Sequence, residues 1–236
     1  MKFQCVRIIS PLCGAFFLLT AKIALAEEQA AAQLSQTASG LPAHPDQGAS
    51  TFMRFCAPCH GSKGEGDGDR AVPALAAQRF AYLVRQMSHF GSAMRDKAAA
   101  YHTTSRKRIS TPEMGNDIAA YLNRLPPTSG AKTGAGVNVE LGRAIFREQC
   151  TTCHASDAGG DKEGVVPSLR NQHYDYLVNE MHRVADGRLH DADQGLVLFM
   201  RSFNESDITA VADYLSRLHG LGSLHPRTLS NGVVVN

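Results

Sequence analysis

The sequence is written twice. Displaced by 94 positions against itself, it brings Gly48 onto Gly142, Phe52 onto Phe146, and Cys56, Cys59 and His60 onto Cys150, Cys153 and His154, all without a gap. The register continues: Val72, Pro73 and Leu75 meet Val166, Pro167 and Leu169, and Gln78, Tyr82, Leu83, Val84 and Met87 meet Gln172, Tyr176, Leu177, Val178 and Met181. After one deletion Tyr121 falls on Tyr214. Such self-similarity means two copies of one folding unit. Each unit has only about 80 residues, so it buries little apolar surface by itself.

Within a unit the apolar spacing is helical. Ala49, Phe52, Met53 and Cys56 fall at i, i+3, i+4 and i+7, so a first helix delivers the cysteines at its end. Tyr82, Leu83, Gln86, Met87 and Phe90 form a second stripe, echoed by Tyr176, Leu177, Glu180, Met181 and Val184. A third helix is predicted from Thr111, with Thr as the cap and Pro112 in the first turn, through Met114, Ile118, Tyr121, Leu122 and Leu125. Its counterpart starts at Asn204, with Glu205 and Asp207 facing the positive helix end. No strand-like alternation competes, so the fold class is all-α. The composition places the first unit at 46–127, a Pro- and Gly-bearing linker at 128–138 and the second unit at 139–219. Residues 27–45 and 220–236 read as weakly ordered extensions.

The amino end reads as a secretory signal. Lys2 and Arg7 precede an apolar run from Ile8 to Leu19, and Ala24, Leu25 and Ala26 form a small-x-small site, so cleavage is expected after Ala26. Removing Lys2, Arg7 and Lys22 leaves 21 basic against 22 acidic residues, a net of about −1, which gives no basic field for nucleic acid. Of the six cysteines, Cys5 and Cys13 leave with the signal. The remaining four all lie in C-x-x-C pairs, and none is left over for a structural disulfide.

Both pairs are followed at once by histidine: Cys56-Ala57-Pro58-Cys59-His60 and Cys150-Thr151-Thr152-Cys153-His154. C-x-x-C-H is the attachment signature of c-type haem. Two thiols at this spacing reach the two vinyl groups on one porphyrin edge as thioethers, and the adjacent imidazole rises beneath the ring to ligate iron. A thioredoxin-like pair would need a βαβ context. A four-cysteine zinc site would need the two pairs close together, yet each sits at the same place in its own repeat. A structural disulfide would not require the histidines. Two covalent haem c groups are therefore expected, held by Cys56, Cys59, Cys150 and Cys153, with His60 and His154 as iron ligands. Pro73 and Pro167 each follow their histidine by 13 residues, where a proline carbonyl can accept the other ring N–H.

From about residue 46 to 219 the chain resembles the two-haem class I cytochromes c of the c4 type. The resemblance rests on C-x-x-C-H, a Gly-rich loop, Pro-x-Leu-x-x-Gln, Tyr-Leu in a helix and a final Ala-x-Tyr-Leu, each present twice. It implies two cytochrome c folds packed together, exported to the periplasm, passing electrons between redox protein donors and acceptors, with a membrane-bound oxidase or dehydrogenase as a partner.

In that family the sixth iron ligand is a methionine from the loop before the last helix. Here the matching position of the first unit, 19 residues before Tyr121, holds His102, with Met94 as the alternative. In the second unit the matching spot near Gly195 and Leu196 offers no ligand, so Met200 is expected, with His190 as the alternative. Met87 and Met181 fall on helix stripes, and His89 and His182 read as surface histidines. The halves also differ in charge. Residues 46–127 carry 11 basic and 7 acidic residues, a net of +4, while 139–219 carry 8 and 13, a net of −5. Arg106, Lys107 and Arg108 follow the first proposed ligand, and such fields steer redox partners. The competing class is a two-haem oxidoreductase, a dehydrogenase or peroxidase-like enzyme with one open or displaceable axial site. It would need an acid–base constellation beside a free coordination position, and the sequence presents none. No catalytic residue is assigned.

Overall fold

A computed structural model of the protein describes residues 42–91 (side chains to residue 88), 111–161, 163–189 and 192–218, and a two-residue antiparallel backbone pairing of 227–228 with 234–235. Both units are helical. The first contains α1 (Pro45–Phe55), α2 (Ala57–His60), α3 (Phe80–Gly91) and α4 (Pro112–Arg124). The second contains α5 (Val139–Ile145), a π-helical turn (Phe146–Cys150), α6 (Thr151–His154), α7 (Tyr174–Ala185), α8 (Gln194–Arg201) and α9 (Glu205–Ser216).

The helix ends follow from local chemistry. Thr111 caps α4, its hydroxyl accepting the Met114 N–H at 3.4 Å, and Pro112 fills the position whose N–H would lack a helical partner. At α9, Asn204 and Asp207 exchange side-chain-to-backbone hydrogen bonds, so two orphan donors are satisfied at once.

Each unit packs its first and last helices across each other. In the first unit Phe52, Leu83, Val84, Met87, Ile118, Ala119 and Leu122 are buried together; in the second, Ile145, Phe146, Ala158, Leu177, Val211, Ala212 and Leu215. The same aromatic pair anchors both cores: Phe52 against Tyr121 at 5.6 Å between ring centroids, and Phe146 against Tyr214 at 5.7 Å. Burying a phenylalanine of this kind contributes about 1.5–3 kcal/mol. Cys56 and Cys150 lie against these clusters, so the same contacts that fold a unit also position its first thiol.

Two expectations need correction. Met53, placed on the apolar stripe of α1, is 47% exposed. The helix meets α4 along Gly48 and Phe52, and the next residue is rotated about 100° away from that line. The stretch before the last helix of the second unit, read as a loop, forms α8. Asp193 caps it, accepting the Leu196 N–H at 2.8 Å, and Val197 and Met200 are buried on its inner face.

The units meet through paired, pseudo-symmetric contacts. The Gln78 side chain hydrogen-bonds the main chain of Ser168, and the Gln172 side chain that of Ala74, residues that are equivalent in the repeat. Arg79 donates to the Gly159 carbonyl at 2.5 Å, and its counterpart His173 lies 2.8 Å from the Glu65 carbonyl. The linker joins in: the Lys132 N–H donates to His173 Nδ1 at 3.0 Å, and its ammonium bridges Asp69 at 3.1 Å and Asp175 at 2.8 Å.

Candidate haem sites

His60 ends α2, and the chain turns back on itself directly afterwards. The Gly66 N–H returns to the His60 carbonyl at 2.8 Å, Asp67 and Val72 exchange two backbone hydrogen bonds, and the Leu75 N–H reaches the Gly64 carbonyl at 2.7 Å. This loop lays the Pro73 carbonyl 3.1 Å from His60 Nδ1. The second unit repeats the geometry, with the Pro167 carbonyl 3.1 Å from His154 Nδ1. Gly66 makes the loop tight enough: its φ is +78°, and a Cβ there would collide with the Val72 carbonyl and the Ala74 nitrogen. Gly160, at φ +82°, stands in the same place against Val166 and Pro167.

A carbonyl only accepts, so Nδ1 carries the proton in both rings and Nε2 bears the lone pair. Burial pulls the His154 pKa below its ordinary value and so favours the neutral form that binds a metal, an effect partly offset by the Pro167 hydrogen bond. Burial, reinforced by the neighbouring Cys59 and Cys153, pushes the Cys56 and Cys150 thiols up to about 11. Cys59 and Cys153 are exposed, and none of the four is in a disulfide. Among the described residues no three His, Cys, Asp or Glu side chains converge to hold a bare metal ion. An unpaired C-x-x-C against an apolar cluster, with an oriented imidazole next to it, is a donor set that fits a covalently attached haem.

Of the other expected ligands, His102, Met94 and His190 lie outside the described residues. Met200 is 9% exposed and sits one turn beyond Val197 on α8, outside the cluster that packs on Cys150. Met87 is buried in the first core and Met181 packs on the second. His182 is half-buried and faces Glu205 at 3.1 Å.

The surfaces leading into the two cysteine pairs differ. Before Cys59 come Met53, Arg54, Phe55, Ala57 and Pro58; before Cys153 come Arg147, Glu148, Gln149, Thr151 and Thr152. Arg54 lies over the Phe55 ring at 5.1 Å, and Arg70 pairs with Asp67 at 2.7 Å in the loop that follows His60. The first edge is apolar and cationic, whereas the second is polar and carries a carboxylate.

These sites define a class, a protein with two covalently attached haem c groups, one in each helical unit. The chain belongs to the cytochrome c family, whose model matches residues 45–126 and again 139–219. It is similar to cytochrome c4 of Azotobacter vinelandii, 29% identical over 188 residues covering 70% of this chain and 84% of that one. Its fold matches the crystal structure of reduced recombinant cytochrome c4 from Pseudomonas stutzeri with a TM-score of 0.64 at 23% identity, over 75% of this chain and all of that one. It also matches 40% of a chain of the thiosulfate dehydrogenase TsdBA from Marichromatium purpuratum, with a TM-score of 0.63 at 24% identity over 73% of this chain. The protein is a cytochrome c4-like, two-haem electron-transfer cytochrome that exchanges electrons with redox partners. No helix among the described residues is long and apolar enough to cross a membrane.

Proposed function

We propose that the protein is a periplasmic electron shuttle, not an enzyme with its own substrate, and that it joins redox proteins of a respiratory or oxidative chain. The observation that carries this reading is the duplicated His–Pro geometry: two independent copies of an oriented imidazole beside a C-x-x-C pair. Bound haem supplies a one-electron couple. The chain supplies everything else. Cys56 with Cys59 and Cys150 with Cys153 attach the groups, and His60 and His154 offer Nε2 to iron. The Pro73 and Pro167 carbonyls hold those rings in one tautomer and orientation. His102 and Met200 complete the coordination, with Met94 and His190 as their alternatives. The functional division is 46–127 and 139–219 joined by 128–138, released from the signal after Ala26.

The partners are redox proteins, among them a membrane-bound oxidase or a dehydrogenase; the same fold within part of a thiosulfate dehydrogenase supports the latter. Spectroscopy of the oxidised protein with and without azide tests the carrier reading. Both haems should be low-spin and six-coordinate and bind azide slowly. A high-spin fraction with fast azide binding and peroxide turnover would overturn the carrier reading in favour of the two-haem oxidoreductase.

A further inference from the structure

We infer that Gln172 tunes the histidine that would hold haem iron in the first unit and Gln78 that in the second, each across the inter-unit boundary. This rests on His60 and His154 being the iron ligands.

The bonds meet on one peptide group. The Pro73 carbonyl that faces His60 Nδ1 belongs to the same amide as the Ala74 N–H, and that N–H donates to Gln172 Oε1 at 2.9 Å. In the second unit the Pro167 carbonyl faces His154 Nδ1, and the Ser168 N–H of the same amide donates to Gln78 Oε1 at 2.8 Å. Each glutamine then closes a ring: Gln172 Nε2 donates to the Ala74 carbonyl at 3.0 Å, and Gln78 Nε2 to the Ser168 carbonyl at 2.9 Å. The partners fix the amide orientations, because a main-chain N–H can only donate and a carbonyl can only accept. Ala74, Gln78 and Gln172 are all buried, so water competes little for these bonds.

Adhesion alone would not require this placement. Other main-chain groups along the boundary could tie the units together, as the Gly159 and Glu65 carbonyls do with Arg79 and His173. In both copies the glutamine instead takes the one N–H whose amide also holds the histidine. An amide whose N–H is engaged has a more polarised carbonyl, which accepts more strongly, since hydrogen bonds in a chain reinforce one another. A stronger acceptor at Nδ1–H makes the imidazole a more electron-donating ligand at Nε2. That favours the oxidised metal and lowers the potential of the haem in the other unit. Gln78 and Gln172 are positioning residues that act through the histidines.

The test is Gln172→Leu in the full holo chain, with potentials measured haem by haem and the His60 Nδ1–H proton followed by NMR. The first haem's oxidised-to-reduced ratio at fixed poise should fall about tenfold, a rise of ~59 mV for a one-electron couple, and the proton signal should shift while the second haem moves far less. Gln78→Leu should give the converse. A shift confined to the glutamine's own unit, an equal shift of both haems, or no shift would overturn the inference. Gln172→Glu keeps an oxygen facing the Ala74 N–H and should hold the first potential at or below the wild-type value. If it rises as in Gln172→Leu, polarisation is not the cause and the inference fails. His60→Ala separates the underlying assignment. If it removes the low-spin spectrum of the first haem while Gln172→Leu leaves that potential unmoved, only the tuning is wrong. If the low-spin spectrum survives His60→Ala, the ligand assignment itself falls.

Discussion

Gly48 rests directly on the main-chain carbonyl of Asp117, and 94 positions later Gly142 rests in the same way on the carbonyl of Ala210. The crossing of first and last helix is thus set in each unit by bare backbone. That crossing brings Phe52 against Tyr121 and Phe146 against Tyr214, and it positions Cys56 and Cys150, which pack against the same clusters.

Gly48→Ala and Gly142→Ala should therefore each destabilise their unit by about 1–3 kcal/mol, the usual cost of forcing extra volume into a packed contact. Denaturant unfolding of the holo protein checks this, with a lower midpoint expected for both. An unchanged midpoint in either variant would mean that the helices separate there at no cost.

The duplicated cysteine pairs fix a stoichiometry. Denatured protein should retain two haems per chain through acid–acetone extraction, because thioethers survive where iron ligation does not. Cys59→Ala should remove one thioether from the first site and Cys153→Ala one from the second, each read as a change in the alkaline pyridine spectrum for one haem of two. Release of free haem from the wild-type chain would contradict covalent attachment.

The parts of the fold that depend on neighbouring residues were legible in the sequence, and the parts that depend on distant ones were not. Thr111 with Pro112 and Asn204 with Asp207 announce their helix starts because capping is settled within one turn. The attachment sites were legible for the same reason, since their chemistry is contained in five consecutive residues. The placement of the Pro73 and Pro167 carbonyls against the histidines was legible only because the spacing occurs twice. The inter-unit contacts stayed hidden. Repetition marks Gln78 and Gln172 as alike, but nothing local says that each side chain bonds the other unit. Arg79 and His173 share a structural role with different chemistry, so an identity match passes over them. Met53 shows the opposite failure, an apolar residue at helical spacing that the packing leaves outside. Helix α8 is silent in the sequence because its 8 residues hold an unbroken apolar run from Leu196 to Met200, which carries no helical period.

The unlike cysteine edges imply unlike partners. A partner with an acidic contact face should meet the first unit, where Arg54 stands in an apolar strip, and avoid the second, where Glu148 occupies the position of Arg54. Electron exchange with such a partner should slow as salt rises, since screening shortens the steering range to about 8 Å at physiological ionic strength. Arg54→Glu, which copies the second unit, should slow it severalfold at low salt, and triple charge reversal at Arg106, Lys107 and Arg108 roughly tenfold. Stopped-flow rates across a salt series decide the matter, and rates indifferent to all of these changes would show those residues to be an ordinary solvated face.

The proposed sixth ligands carry the sharpest expectation. A thioether raises the haem potential relative to imidazole, within the roughly 0.8 V that axial ligands can set. With His102 in the first unit and Met200 in the second, the haems should titrate at separated potentials, the first lower, so that electrons run from the first unit to the second. The oxidised protein should show the weak far-red band of methionine-ligated ferric haem at the intensity of one haem. Met200→His should abolish that band and lower the higher potential, and His102→Met should raise the lower one and bring the two steps together. Met200 is buried on α8 beside Val197 and outside the cluster around Cys150, so its variant discriminates well. As a packing residue only, it would give Met200→His a lower unfolding midpoint, with the band intact. Two methionine bands in the wild-type protein would assign the first site to Met94 in place of His102 and remove the gradient.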